Sequence, residues 1–199
     1  APIIVKPGGI DVASGETYTA TLKAPAGAGS VTPLTTVVAE MVKTNPALSV
    51  SDAVDKVKTA FGLTADILNT NPYAAESAAN TAVAKAGVQV AALLKKVVAD
   101  AGSADAGAAV ASALGAKIVA TSGAVNLADA TTLTSVVSTA KTDNATLLGS
   151  VTASSVGNAT AGKNAIVAAA TTVASVADVG KAGFTATGSG AVTLTKAHT

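Results

Sequence analysis

The hydrophobic period of this chain changes twice, and that change constrains its fold more than any other feature. From Glu16 to Lys23 apolar and polar residues alternate, with Tyr18, Ala20 and Leu22 on one face and Thr17, Thr19, Thr21 and Lys23 on the other. Alternation of this kind is the signature of a half-buried strand. From Thr32 onward apolar positions recur every three or four residues, the spacing of an amphipathic helix. After Gly180 alternation returns, in FTATGSGAVTLTK from Phe184 to Lys196. The pattern predicts an α+β, mainly α protein: an Ala-rich helical bundle flanked by short N- and C-terminal antiparallel β segments. Residues 1–30 are the N-terminal β segment and linker, 31–182 the bundle and 183–199 the C-terminal β segment.

Helix punctuation inside the middle region predicts about six helices. Thr32 before Pro33 and Asn71 before Pro72 are cap-plus-proline pairs, each expected to open a helix. Ser49 or Ser51 opens a second helix, closed by Gly62. A fourth follows Ser103, and a fifth opens at Asn126. A last helix is expected from Ala161 to Val179, ended by Gly180. At the start of the chain, Ile3-Ile4-Val5 is a short β-branched run, and the turn formers of PGGIDVASG follow it.

What fills such a core is unusual. Hydrophobic residues make up 49% of the 199, yet aromatics make up 2% and Trp and Cys are absent. Burial energy must therefore come from many small Ala and Val contacts and from close backbone approach rather than from aromatic anchors. Without Cys there are no disulfides, zinc thiolates or thiol nucleophiles. The thirteen basic residues are all lysines, interspersed with twelve acids for a net charge of +1. Nucleic-acid binding needs a basic stripe, Arg forks or aromatic platforms, and none is present. The mean hydropathy is high, at +0.51. Even so, the longest uncharged run, Asn144 to Gly162, is full of Ser, Thr, Asn and Gly, and the apolar run Asn164 to Ala177 is too short to span a bilayer. No membrane span is expected.

Two segments carry a resemblance. KAPAGAGSVTPLTTVVAEMV, from Lys23 to Val42, and AFGLTADILNTNPYAA, from Ala60 to Ala75, resemble a helical module of large secreted surface proteins and adhesins of Gram-negative bacteria. In that module a strand pair with a Gly-Gly-x-Asp turn leads into a "VTPLTT" helix, and a Gly-Leu…Asp…Asn-Pro connection leads into a long Ala-rich helix. The resemblance covers roughly the first half of the chain. It implies an extracellular location and a structural or adhesive role, and it brings no catalytic residues with it.

Motifs that could carry chemistry are incomplete. GNATAGKN, from Gly157 to Asn164, departs from a phosphate-binding loop in having Asn164 where a Ser or Thr hydroxyl would hold magnesium, and no strand precedes it. It reads as a Gly-rich loop capped by Asn158 or Thr160. Ser138 and Lys141 match the Ser-x-x-Lys of acyl-serine enzymes, and Lys181-Ala182-Gly183 echoes their second motif, but the middle motif is missing. His198 is the lone histidine and stands next to the chain end, a poor place for a general base. Asp11 and Glu16 are candidate calcium ligands, two carboxylates where a dedicated loop clusters several oxygens. Otherwise no cofactor is expected. Asn144 and Asn158 each begin an Asn-x-Thr triplet of the glycosylation type.

The expectation is therefore a non-enzyme: a secreted, extracellular structural protein of bacterial type, a self-assembling subunit of a surface filament, surface layer or biofilm matrix. The start at Ala1-Pro2 fits a mature secreted chain or an excised fragment. The alternative is a binding module of a large adhesin that recognises a cell-surface glycan or host surface. The partner is expected to be another copy of the chain. The self-assembly residues are expected to be Ile3, Ile4 and Val5 as donor, with Tyr18 and Leu22, or Val192 and Leu194, on the accepting edge. Pairing of Ile3 to Val5 within its own subunit is the other possibility.

Overall fold

A computed structural model of the chain describes residues 1–10, 17–75, 77–169, 183–186 and 192–195. The protein is mainly helical, with a short antiparallel strand pair at its N-terminus. The elements in order are β1 (Ile3–Val5), β2 (Leu22–Ala24), α1 (Pro33–Thr44), α2 (Val50–Phe61), α3 (Ala78–Ala101), α4 (Ala106–Ala120), α5 (Ala130–Asp143), α6 (Ala145–Leu148), α7 (Ala153–Ala169), β3 (Gly183–Ala186) and β4 (Val192–Thr195). β1 pairs antiparallel with β2, and β3 pairs antiparallel with β4 in a separate sheet.

The first helix starts where the period changes. Thr32 is its N-cap: its hydroxyl accepts from the Thr35 N–H, the Thr35 hydroxyl accepts from the Thr32 N–H, and Pro33 takes the first helical position. Two such N–H groups would otherwise lie unsatisfied at the helix start. α2 is capped by Ser49 and ends on Gly62, which adopts the left-handed conformation that favours glycine.

Two helix starts differ from expectation for one physical reason. Asn71-Pro72 does not open a helix; α3 begins at Ala78, capped by Ser77. Asn126 does not open one either; α5 begins at Ala130, where the Asp129 carboxylate accepts from the Thr131 and Thr132 N–H groups. In both places the Asn side chain accepts the N–H two residues on, Tyr73 and Ala128 respectively. That bond closes an Asx turn, which imitates a cap locally without propagating. The last helix also differs, beginning at Ala153 rather than Ala161. The expectation for residues 170–182 lies outside the described residues.

The core consists of small and branched aliphatic side chains, as the composition requires. Val37, Val57, Val90, Leu94, Val110, Leu114, Leu133 and Val137 are wholly buried. Close approach comes from glycine at two helix crossings. A Cβ on Gly115 of α4 would collide with Met41 Cγ of α1. On Gly157 of α7 it would stand 2.9 Å from the Ala130 carbonyl at the start of α5, a backbone atom that cannot swing away. No helix among the described residues is long and apolar enough to cross a membrane.

Candidate functional site: the N-terminal ribbon and the cleft beneath it

β2 is held from both sides. On one side it pairs with β1, with Ile3 opposite Ala24, Ile4 opposite Lys23 and Val5 opposite Leu22. On the other side it meets the helices. The Lys23 N–H donates to Thr36 Oγ1 at 2.9 Å, and the Thr35 and Thr36 hydroxyls donate to the Lys23 carbonyl at 3.0 and 3.2 Å. The Thr21 N–H donates to the Ala104 carbonyl. Lys23 Nζ lies 2.6 Å from the carboxylate of Glu40, a residue only 2% exposed, and the exposed Lys43 lies 3.3 Å from its other oxygen. Side chains of α1 thus take the place of a third strand.

This clasp fixes the polarity of the ladder. Antiparallel pairing alternates hydrogen-bonded and non-hydrogen-bonded pairs. Because Lys23 spends both backbone groups on α1, the Ile4–Lys23 pair is the non-bonded kind, and Ile4 turns its own N–H and C=O outward. β1 therefore carries the open edge. That edge is short: Pro2 has no N–H to offer along it, and Pro7 follows Lys6, both blunting devices for edge strands. The three β1 side chains are nevertheless exposed, at 37%, 56% and 41%.

Beyond β1 the ribbon continues. The Gly8 N–H donates to the Tyr18 carbonyl and the Tyr18 N–H to the Gly9 carbonyl, and Ile10 bridges Thr17. Gly8 has a φ of +113°, a conformation that glycine adopts without strain. Under this ribbon lies a half-open cleft of about 420 Å³. Its roof is Val5, Ile10 and Tyr18, and its floor is Val83, Ala84, Gly87 and Val88 of α3. Ile67 and Pro72 of the connection between α2 and α3 form one wall. Ile10 is 64% exposed and Tyr73 borders the same opening.

That connection is set by Asp66. Its carboxylate accepts from the Asn69 side chain at 2.8 Å and from the Leu68 N–H at 2.9 Å, and these bonds hold its pKa below the usual aspartate value. The Thr132 hydroxyl and N–H do the same for the Asp129 cap. In both cases hydrogen bonds to the charged form favour ionisation.

The residues singled out from sequence fall into four groups. Ile3, Ile4 and Val5 are exposed but already paired within their own chain. Tyr18 is buried and both Tyr18 and Leu22 line the cleft, while within one chain β1 and α1 occupy the two sides of β2, with Leu22 opposite Val5. Val192 and Leu194 lie on β4, opposite Ala186 and Phe184 of β3. Asp11, Glu16 and His198 lie outside the described residues, among which no group of three or more acidic or histidine side chains stands together.

The GNATAGKN stretch is corrected outright. It is not a loop; it lies inside α7, where Gly157 makes the α5 crossing. Asn164 is fully buried, and its Nδ2 donates to the Leu127 and Gln89 carbonyls, tying α7 to α3 and to the segment before α5. Lys141 does not turn to a serine: its Nζ donates to the Val151 carbonyl, and Ser138 is exposed.

The clasp was missed in the sequence, though one signal for it exists. Glu40 sits inside the apolar stripe Leu34, Val37, Val38, Met41, and a carboxylate there demands a buried partner. No protein-family model matches the chain, and no curated protein or solved structure matches it.

Proposed function

We propose that the chain is a secreted, extracellular structural protein that polymerises with copies of itself, and that copies join by exchanging β1. The observation that carries this reading is β1 itself. It consists of three β-branched residues, all exposed and strand-paired to β2, and Lys6-Pro7 separates it from Gly8 and Gly9, which are bonded to Tyr18. An element of that kind can leave its own β2 and enter the identical seat on a neighbour at little cost, because the pairing broken in one copy re-forms unchanged in the next. Simple edge-to-edge addition is disfavoured by Pro2 and Pro7; exchange is not. When a copy donates its strand to one neighbour and accepts from another, the contact runs head to tail and need not close, and it then builds an open filament. The resemblance of Lys23–Val42 to modules of bacterial surface proteins supports the location. The clasp gives that motif a physical task, which is to keep the accepting strand in place while the donor is absent.

A disulfide tests the exchange. The chain has no cysteine of its own. Val5 and Leu22 are partners in register, and a bonded antiparallel pair stands ~5.5 Å apart at Cα, within disulfide reach. The Val5→Cys, Leu22→Cys chain, oxidised while dilute, is expected to stay monomeric in light scattering and electron microscopy. Reduction should restore polymers, and oxidation of those polymers should link one chain to the next. Equal polymerisation of the locked and reduced forms would sink the reading.

A further inference from the structure

The cleft under the ribbon has a feature that assembly does not use. α3 is 24 residues long, and Gly87 stands in the middle of it. A glycine there weakens a helix, since an alanine at such a position is worth more to the folded state. Elsewhere in the bundle the weakness has a steric reason: Gly115 and Gly157 let another helix approach. Gly87 has no such reason, for a Cβ built on it would meet nothing within 4 Å. What the missing side chain leaves is room in the cleft floor.

The lining states what chemistry fits that room. Apart from Lys6, the described residues around it carry no charge. Most of its polar side chains are already engaged: the Ser30 hydroxyl donates to the Leu68 carbonyl, the Thr32 hydroxyl caps α1, and the Asn71 carbonyl oxygen accepts from the Tyr73 N–H. The rest is aliphatic apart from the Tyr18 and Tyr73 rings and the Thr70 hydroxyl. The volume of about 420 Å³ falls in the range of small-molecule sites, roughly 300–1,000 Å³. A cavity of ~150 Å³ already holds a benzene ring.

We propose that this cleft is a binding site for an amphipathic anion, with an acyl-type apolar body over Ala84, Gly87 and Val88 and the anionic head at Lys6. The body takes apolar surface on both roof and floor out of water, which is the main driving force. The head is chosen by sign: one cation in the lining and no acid among the described lining residues favours an anion over a neutral or cationic amphiphile of the same length. A free fatty acid and a lipid headgroup with an acyl chain share this chemistry.

The experiment uses the whole chain and dodecanoate, titrated by calorimetry below its micelle concentration, with 1-dodecanol and dodecyltrimethylammonium as comparisons. Saturable binding of one dodecanoate per chain is expected, with the cation weaker than the alcohol. Gly87→Leu fills the floor and is expected to weaken dodecanoate at least about tenfold. Gly87→Ala, which the open space admits, should weaken it less while raising the melting temperature. Lys6→Gln should weaken dodecanoate about two- to fivefold, the worth of an exposed ion pair, and leave dodecanol unchanged. Vesicles of an anionic phospholipid set against free dodecanoate separate the two sources: pelleting with vesicles assigns the lipid, binding of the free acid alone assigns the acid. Three results would overturn the site: no saturable binding, full binding by a Gly87→Leu chain that retains its helical circular dichroism, or a Gly87→Leu effect on oligomeric state with no ligand bound, which would give the cleft to a second copy.

Discussion

The two strands of the N-terminal ribbon are equally short, three residues each, and have opposite attachments. β2 is bonded through its backbone to Thr35 and Thr36, and through its Lys23 ammonium to a buried carboxylate. β1 is held by its pairing to β2, and its side chains stand in solvent. A strand fixed by side chains of the bundle shares the stability of the bundle, whereas a strand fixed only by a two-stranded ladder opens locally at far lower free energy. The comparison teaches that the fold separates a permanent half of the sheet from a releasable half, and that α1, not the sheet, draws the line.

The largest break in that comparison is expected at Glu40. Glu40→Ala leaves the Lys23 ammonium without its buried acceptor, and should cost roughly 2–3 kcal/mol in urea unfolding. Lys43→Ala removes the exposed member of the same cluster and should cost less than about 0.5 kcal/mol. If the two variants lose equal stability, Glu40 is not a clasp but one more surface pair, and β2 is held no better than β1.

A finer break isolates the backbone bonds. Thr36→Val keeps the shape of the side chain and removes the hydroxyl that accepts from the Lys23 N–H and donates to the Lys23 carbonyl. An unmet N–H at a partly buried site should cost about 1–2 kcal/mol. Hydrogen exchange gives the sharper readout. In the wild type the Lys23 amide should be protected like the α1 amides, and the outward-facing Ile4 amide should exchange quickly. In Thr36→Val the Lys23 amide should join Ile4. Protection of Ile4 as strong as that of Lys23 would mean that the ladder polarity derived from the clasp is wrong.

Periodicity made most of the architecture legible in the sequence. Thr32-Pro33 marked the first helix, Gly62 ended the second, and the alternation around Tyr18 and Ala20 placed both of them inward. Local cap chemistry misled at Asn71 and Asn126, because an Asn that closes its own Asx turn writes the same letters as an Asn that caps a helix; only the downstream residues, Ser77 and Asp129, decide. The GNATAGKN stretch misled differently. Glycine there reads as a loop in one dimension and is a helix crossing in three, since its use depends on Thr134 and Ala130, more than twenty residues away. The cleft was not legible at all. It is a space, made by a ribbon standing off a helix, and its one trace in the sequence is a glycine in mid-helix whose neighbours do not explain it.

The smallest effect expected is in acid, and it locates on the body rather than the ribbon. Hydrogen bonds from Asn69 and Leu68 to Asp66, and from Thr132 to Asp129, lower both carboxyl pKa values below those of the unfolded chain. A group with a depressed folded pKa contributes stability that is fully present above its unfolded value, near ~3.9, and is lost as pH falls through the folded value. Both carboxylates stand at the surface, so the contribution is modest and screened by salt. The melting temperature of the wild type should therefore hold from pH 7 to about pH 5 and fall below pH 4. Asp66→Asn with Asp129→Asn should fall less over that lower range, because an amide still accepts at both positions but has no proton to gain. The ribbon gives the contrast: neither aspartate touches it, so lowering the pH from 5 to 3 should cost the double variant part of its acid sensitivity while leaving Lys23 amide protection, measured against the α1 amides, the same in both chains. A double variant that loses as much melting temperature as the wild type between pH 5 and pH 3 would show that these two caps carry no part of the acid response.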